Sequence, residues 1–249
     1  MGASLSFPRR NVVISRRHAK QHTSGTVALL GLAGQRGVGK DSFADALDRA
    51  FCMYQSSASR HAFADGIKDL TCALFGVTRQ FIEHWKHVEA NPPRLNVPMR
   101  KILQDIGEQM RTIQPDVWVN TLRAQLSGDS VITDVRHDNE IDAIVKWGGK
   151  IILIVRGTPN DDMHVSETTL KSASAWCLDR IKPTLQSVVN MNNVQITPGA
   201  PALIHRVNYV VFNIGTVETL DQLAMDLLES IVNEQNLDCD SDDMGALNI

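Results

Sequence analysis

No apolar run in this chain approaches the length of a membrane-spanning helix, so no membrane partner is expected. Paired cysteines are also missing. Cys52, Cys72, Cys177 and Cys239 stand far apart, which argues against a zinc site or a disulfide framework. Reduced thiols in a cytoplasmic setting are the natural reading. Large net charge is absent: 25 Lys and Arg face 28 Asp and Glu, a formal charge of −3. Bulk electrostatics therefore give no argument for nucleic acid. No Asn-Lys-x-Asp sequence occurs, so a guanine-reading switch is not expected. Acids are missing from residues 1–25, which carry Arg9, Arg10, Arg16, Arg17 and Lys20. Such a leader reads as a disordered extension, with a transit peptide or an anion-binding arm as alternatives. Met1-Gly2 with Ser6 also fits the short myristoylation pattern. At the other end, residues 235–249 hold Asp238, Asp240, Asp242 and Asp243 and read as a solvated acidic tail.

What is present is a core and a loop. Of the 249 residues 43% are apolar, enough for one α/β domain over about 26–234. Gly34-Gln35-Arg36-Gly37-Val38-Gly39-Lys40 matches the first seven positions of the phosphate-binding loop, glycine, four residues, glycine, lysine. Thr26–Leu32 before it reads as a buried strand. Asp41–Phe51 after it reads as a helix, with Phe43, Ala46, Leu47 and Ala50 on one face. The setting supplies the physics. Glycines turn successive N–H groups inward, the helix start adds positive potential, and Lys40 adds a point charge. One position departs: Asp41 stands where Ser or Thr is usual, and the hydroxyl comes at Ser42.

Val131-Ile132-Thr133-Asp134 reads as a strand ending in an acid, the place for a magnesium-linked carboxylate. Arg136 lies two residues on, suited to a transferring phosphoryl group or to a surface pairing with Asp138 or Glu140. In 99–113, Ile102, Leu103, Ile106, Met110 and Ile113 share one helical face. Arg100, Gln104, Gly107 and Arg111 form an acid-free stripe opposite, fit for a phosphate, a base edge and a close approach. Asp65 reads as an N-cap of a helix ended by Gly76, with Lys68 either near an acceptor phosphate or simply exposed. Ile151–Val155 is a strand candidate ending at Arg156. His164 to Glu167 lies in a polar, turn-rich stretch. Tyr209–Phe212 is a last strand, with Asn213 at its carboxyl end. Alternating strands and helices imply a parallel sheet covered on both faces.

These segments, in this order, resemble the bacteriophage deoxynucleoside monophosphate kinases, a branch of the P-loop kinases. The resemblance rests on Gly34 to Ser42, Phe63 to Lys68, Leu103 to Gly107 with Arg111, and Trp118. It continues through Val131 to Arg136, Asn139-Glu140, Gly148-Gly149, Val155-Arg156, His164 to Glu167 and Asn213. It implies a three-layer P-loop kinase fold with a lid and insertion over about 157–206. It implies transfer of the ATP γ-phosphate to a deoxynucleoside 5′-monophosphate, with magnesium and in a cytoplasm, that of the host if the source is viral. Lys40 and the loop from Gly34 to Ser42 would hold ATP, and Asn213 would approach the adenine. Asp134, with Ser42, would serve the metal. Asp65, Lys68, Arg100, Gln104 and Arg111 would surround the acceptor, with Arg136 between the phosphates. Arg156, His164, Ser166 and Glu167 would belong to the lid.

Two features depart from the family. Glu108 follows Gly107 where threonine is usual, and 171–206 looks like an insertion with Trp176, Pro183, Pro198 and Pro201. That insertion could enlarge the lid, mediate oligomerisation such as a homodimer, or have no specific role. A kinase of another small acceptor such as dephospho-coenzyme A, and an ATP-occupied switch without turnover, are the competing readings.

Overall fold

The alternation of strand and helix is realised as one six-stranded sheet with the order β2-β3-β1-β4-β6-β5. The computed structural model describes residues 28–157, 165–181 and 187–245, without the side chains of 165–167, 217 and 235–245. The strands are β1 (Leu29–Ala33), β2 (Ser59–His61), β3 (Ser130–Val135), β4 (Lys150–Val155), β5 (Ser187–Asn190) and β6 (Tyr209–Phe212). All pairings are parallel except β5 against β6. The helices are α1 (Lys40–Met53), α2 (Phe63–Phe75), α3 (Arg79–Trp85), α4 (Met99–Ile113), α5 (Val117–Arg123), α6 (Asp138–Lys146), α7 (Val165–Arg180) and α8 (Leu220–Gly245).

The central strands are unbroken apolar runs because both of their faces are covered. Along β4, Ile151, Leu153 and Val155 enter one core while Ile152 and Ile154 enter the other. Helices α1 and α8 cover the second face, through Phe43, Leu47, Leu223, Leu227 and Ile231. Helices α2, α5, α6 and α7 cover the first, through Ile67, Trp118, Ile141, Ile144 and Leu170. The result is helix, sheet, helix in three layers.

Several expectations shift. Strand β1 begins at Leu29; Thr26 and Val27, like the leader 1–25, lie outside the described residues. Strand β2 has only Ser59, Arg60 and His61, with no apolar signal, and forms through backbone pairing to β3. Helix α2 starts at Phe63, so Asp65 is its third residue and Ala62 is the N-cap. Gly76 ends it with φ 63°, as its composition predicts. Within 171–206, Ala173, Cys177, Met191, Leu203 and Ile204 are buried in the main core, and β5 extends the sheet edge. Glu234 on α8 accepts from Lys150 Nζ at 2.6 Å and Asn190 Nδ2 at 2.5 Å, tying the last helix to β4 and β5.

Connections set the functional end. Helix α1 leaves β1 over one face and α6 leaves β3 over the other. Neighbouring strands whose helices diverge open a crevice at their carboxyl ends. Close packing of α6 depends on Gly149 at the entry to β4. A Cβ there would lie 2.7 Å from Ile144 Cγ2 and 2.9 Å from the Leu29 carbonyl oxygen. Gly149→Ala should therefore cost about 1–3 kcal/mol of stability, read by urea denaturation.

Candidate functional site

The loop after β1 has a shape that side chains would obstruct. Gly34 has φ 152°, and a Cβ on it would sit 2.6 Å from the Ile154 carbonyl oxygen. Gly39 has φ 90°, and its Cβ would meet Asn213 Nδ2 at 2.5 Å. The chain thus curls tightly around the start of α1. Inside the curl, the buried Lys40 donates to the carbonyls of Gly34 at 2.6 Å and Gln35 at 2.8 Å. Burying an ammonium is costly unless it is paired, and these carbonyl dipoles do the pairing. Gln35 is buried as well, and its side-chain nitrogen has no hydrogen-bond partner among the described residues. Arg36 is exposed at the loop tip.

Asn213 joins the loop to the far side of the sheet. Its backbone N–H donates to Val155 O at 2.8 Å, extending the β4–β6 ladder. Its carboxamide nitrogen donates to Val38 O at 2.8 Å, inside the loop. The side chain is buried and committed to the loop backbone, which differs from an approach to a base. A cleft of about 440 Å³ opens beside it, lined by Gly39, Ser42, Arg156, Asn213, Thr216 and Glu218 among others. Arg156 is exposed on its rim.

Two acids, Asp134 on β3 and Glu140 in the first turn of α6, each cap a helix. Asp134 accepts from the N–H groups of Phe63 at 2.8 Å and Ala64 at 2.9 Å, the first two residues of α2. Burial pushes its carboxyl above the ordinary range, while the two N–H groups and Arg136 oppose the rise. Glu140 accepts from the N–H groups of Arg136 at 2.8 Å and His137 at 3.0 Å, at the start of α6. Its other oxygen accepts from Arg111 Nη2 at 3.3 Å. Burial and then the Asp134 charge push Glu140 up to about 7, against the two N–H groups and Arg111. The surface pairing considered for Arg136 is thus not what Glu140 does: this acid is buried and holds the Arg136 backbone. Asp138 pairs with Arg206 instead.

Arg111 therefore reaches the functional end of the sheet. Val135, the residue before Arg136, pairs with Ala33, the residue before Gly34. One carboxylate separates the α4 guanidinium from the strand end beside the loop. The rest of α4 departs from its expected pattern. Gly107 is buried, and a Cβ there would lie 3.0 Å from Ile67 Cδ1, so the close approach is to α2. Its carbonyl accepts the Trp118 indole N–H at 3.1 Å. Ile113, expected on the apolar face, is 75% exposed at the helix end. Arg100 is half-buried and Gln104 exposed.

Asp65 and Lys68 sit in a charge network between α2 and α3. Asp65 accepts from Ala62 N–H at 3.1 Å, capping its own helix, and from Arg79 Nη1 at 3.1 Å. Lys68 pairs with Glu83 at 2.8 Å and Lys86 pairs with it too, holding Glu83 down at about 2 against the opposing effect of burial. Of the expected lid residues, His164 lies outside the described residues; Ser166 and Glu167 are in the first turn of α7, with side chains not described.

The structure thus gathers Lys40, Ser42, Asp134, Arg136, Arg156 and Asn213 at the carboxyl ends of four strands, with Arg111 linked in from α4. Sequence reasoning passed over Arg79, which reads as an ordinary surface arginine. It also passed over Glu140 as a buried link, although Glu140 three residues after His137 is a capping-box spacing. Among the described residues, no three His, Cys, Asp or Glu side chains converge into a ready metal cage. Asp134 keeps unused lone pairs on both oxygens. That suits contact with a hydrated cation rather than full enclosure of a bare one.

No family model matches the chain. A protein of Acanthamoeba polyphaga mimivirus, described as "Putative deoxynucleotide monophosphate kinase", is 29% identical over 170 residues, covering 60% of this chain and 86% of that one. Among solved structures, a dephospho-CoA kinase from Campylobacter jejuni has a TM-score of 0.39 at 13% identity, over 83% of this chain and 98% of its own. A sugar kinase from Janibacter sp. HTCC2649 has 0.36 at 10%, over 82% and 95%.

The raised carboxyl of Glu140 has a defined effect on stability. The folded group holds its proton to about 7, whereas an ordinary one releases it near 4.5. Between those values the folded state binds more protons, so stability declines as pH rises through that window. Glu140→Gln should remove this part of the decline, read as a flatter dependence of melting temperature on pH.

Proposed function

We propose that this chain is a kinase that moves the γ-phosphoryl group of ATP onto a deoxynucleoside 5′-monophosphate. The observation that carries the reading is the meeting of two cationic surfaces at one sheet end: the Lys40 loop after β1, and Arg136 with Arg111 beside β3. A binding switch needs the first surface alone. A phosphotransferase between two polyanions needs both. The viral relative, over most of its own length, is described by the same activity.

In this reading, the loop N–H groups from Gly34 to Ser42 cradle the ATP phosphates. Lys40 leaves the carbonyls of Gly34 and Gln35 for the β- and γ-oxygens. The Gln35 amide offers a further donor from inside the loop. The cleft between Arg156, Asn213, Thr216 and Glu218 takes the nucleoside, and Asn213 keeps the loop shaped. Ser42 and Asp134 would hold magnesium, Asp134 through water. The ion would supply neutralisation of charge on the phosphates. Arg111 holds the acceptor phosphate, Arg136 lies between donor and acceptor, and the Asp65, Lys68, Arg100 and Gln104 surface receives the nucleoside. Arg156 and the His164 to Glu167 stretch belong to a lid that excludes water.

The acceptor atom is a phosphate oxygen, anionic near neutral pH, so no general base is required. Catalysis consists of in-line placement and charge neutralisation. That matches an inventory of arginines and a lysine.

Coupled measurement of ADP release against the four deoxynucleoside monophosphates tests the reading, with ribonucleotides and dephospho-coenzyme A as control acceptors. Preferred turnover of a control acceptor would replace the substrate assignment, and ATP binding without turnover would replace the enzyme. Lys40→Ala should lower kcat on the order of a hundredfold or more while the far-ultraviolet spectrum is unchanged. Arg111→Ala should raise the KM for the monophosphate about tenfold or more with little change for ATP.

A further inference from the structure

One buried carboxylate joins the two halves of the site. Glu140 is 2% exposed and has every polar contact directed. One oxygen closes the first turn of α6 by accepting from Arg136 N–H and His137 N–H. Closing that turn uses a single oxygen and leaves the second over. Here that oxygen faces a different helix and accepts from Arg111 Nη2 at 3.3 Å. The pair is close to water-free on the Glu140 side, while the Arg111 side chain is 24% exposed. A guanidinium has five donors. The Nη2 contact with Glu140 therefore leaves donors for an anion on the exposed side.

We propose that Glu140 is a positioning residue that sets the Arg111 guanidinium in register with the turn bearing Arg136, so that an acceptor phosphate meets both cations in a fixed relation. This rests on the kinase reading above. The reasoning is mechanical. Arg136 has its backbone fixed by one oxygen, Arg111 has its side chain fixed by the other, and one carboxylate bridges the two. Helix α4 otherwise contacts this region through Gly107 on Ile67 and on Trp118, four residues from Arg111. Neither the packing on Ile67 nor the Trp118 hydrogen bond to the Gly107 carbonyl orients a guanidinium. Glu140 reaches neither the Lys40 loop nor the cleft beside Asn213, which are served by β1, β4 and β6. Its direct contacts are therefore with Arg111 and the turn bearing Arg136.

Glu140→Gln separates the two duties. The amide oxygen can still accept from Arg136 and His137, and the amide nitrogen then opposes the Arg111 donors. Initial rates with ATP and the preferred monophosphate, for the wild type, Glu140→Gln, Arg111→Ala and the double variant, form a closed cycle. The KM for the monophosphate should rise about tenfold in Glu140→Gln, with the KM for ATP within about twofold of the wild type. The double variant should match Arg111→Ala alone within about twofold, because Glu140→Gln keeps the acceptor for Arg136 and His137 and disturbs only the contact with Arg111. Glu140→Asp, which keeps the charge one methylene short, should give an intermediate rise and serves if the glutamine variant does not fold. An unchanged monophosphate KM, equal losses for both substrates, or additive effects in the cycle would overturn the proposal while leaving the kinase assignment standing. A wild type that phosphorylates no monophosphate would overturn both.

Discussion

The burial of one ammonium group governs this molecule. Lys40 sits at the start of α1 with its charge turned into a loop of main-chain carbonyls. An unpaired ammonium there would be prohibitively costly, so the loop must stay curled. Curling requires backbone shapes that only glycine takes at Gly34 and Gly39. It also requires a strut, which Asn213 provides from the far side of the sheet. Strand β1 is buried on both faces and flanked by β3 and β4, so the loop emerges at the middle of the sheet edge. Every other group of the candidate site is placed relative to that exit.

Acids at the end of β3 serve position before chemistry. Asp134 caps α2 and Glu140 caps α6, and those helices carry or support the surfaces on either side of the crevice. Both carboxyls are pushed above their ordinary values by burial. The site therefore holds more buried acid than its stability alone would favour. Shifts of this kind concentrate at functional sites, although carboxyls buried for structural reasons show them too. At Glu140 the two explanations coincide, since the carboxylate that caps α6 also holds the Arg136 backbone and receives Arg111.

Beside the candidate site, α2 and α3 are tied by exposed and half-exposed pairs: Arg79 with Asp65 and Asp69, and Lys68 and Lys86 with Glu83. Individually such pairs contribute little in water. Together they hold Asp65 and Lys68 in one arrangement, and a bound anion would compete for the same cations. The main core on that face, centred on Trp118 and Ile67, gives the rigidity that those surface charges cannot.

Much of this was readable in one dimension. The phosphate loop, the strands at Val131, Ile151 and Tyr209, the helix after Lys40 and the helix at 99–113 follow from local pattern, since glycine placement and apolar period act over a few residues. Strands β2 and β5 were not readable, because their pairing comes from neighbours distant in sequence. The start of α2 and the burial of Gly107 were also misjudged, each for want of a cap or a facing helix that lies 11 to 71 residues away. By itself the sequence determined the glycine loop before α1 and the cations that follow β3 and lie on α4, because those are carried by residue type and short spacing. Only the tertiary structure decided that Asn213 braces the loop, that Gly107 packs on a helix, and that Glu140 faces Arg111. Those are matters of direction and distance between elements, and direction is settled only when the two cores close on the sheet.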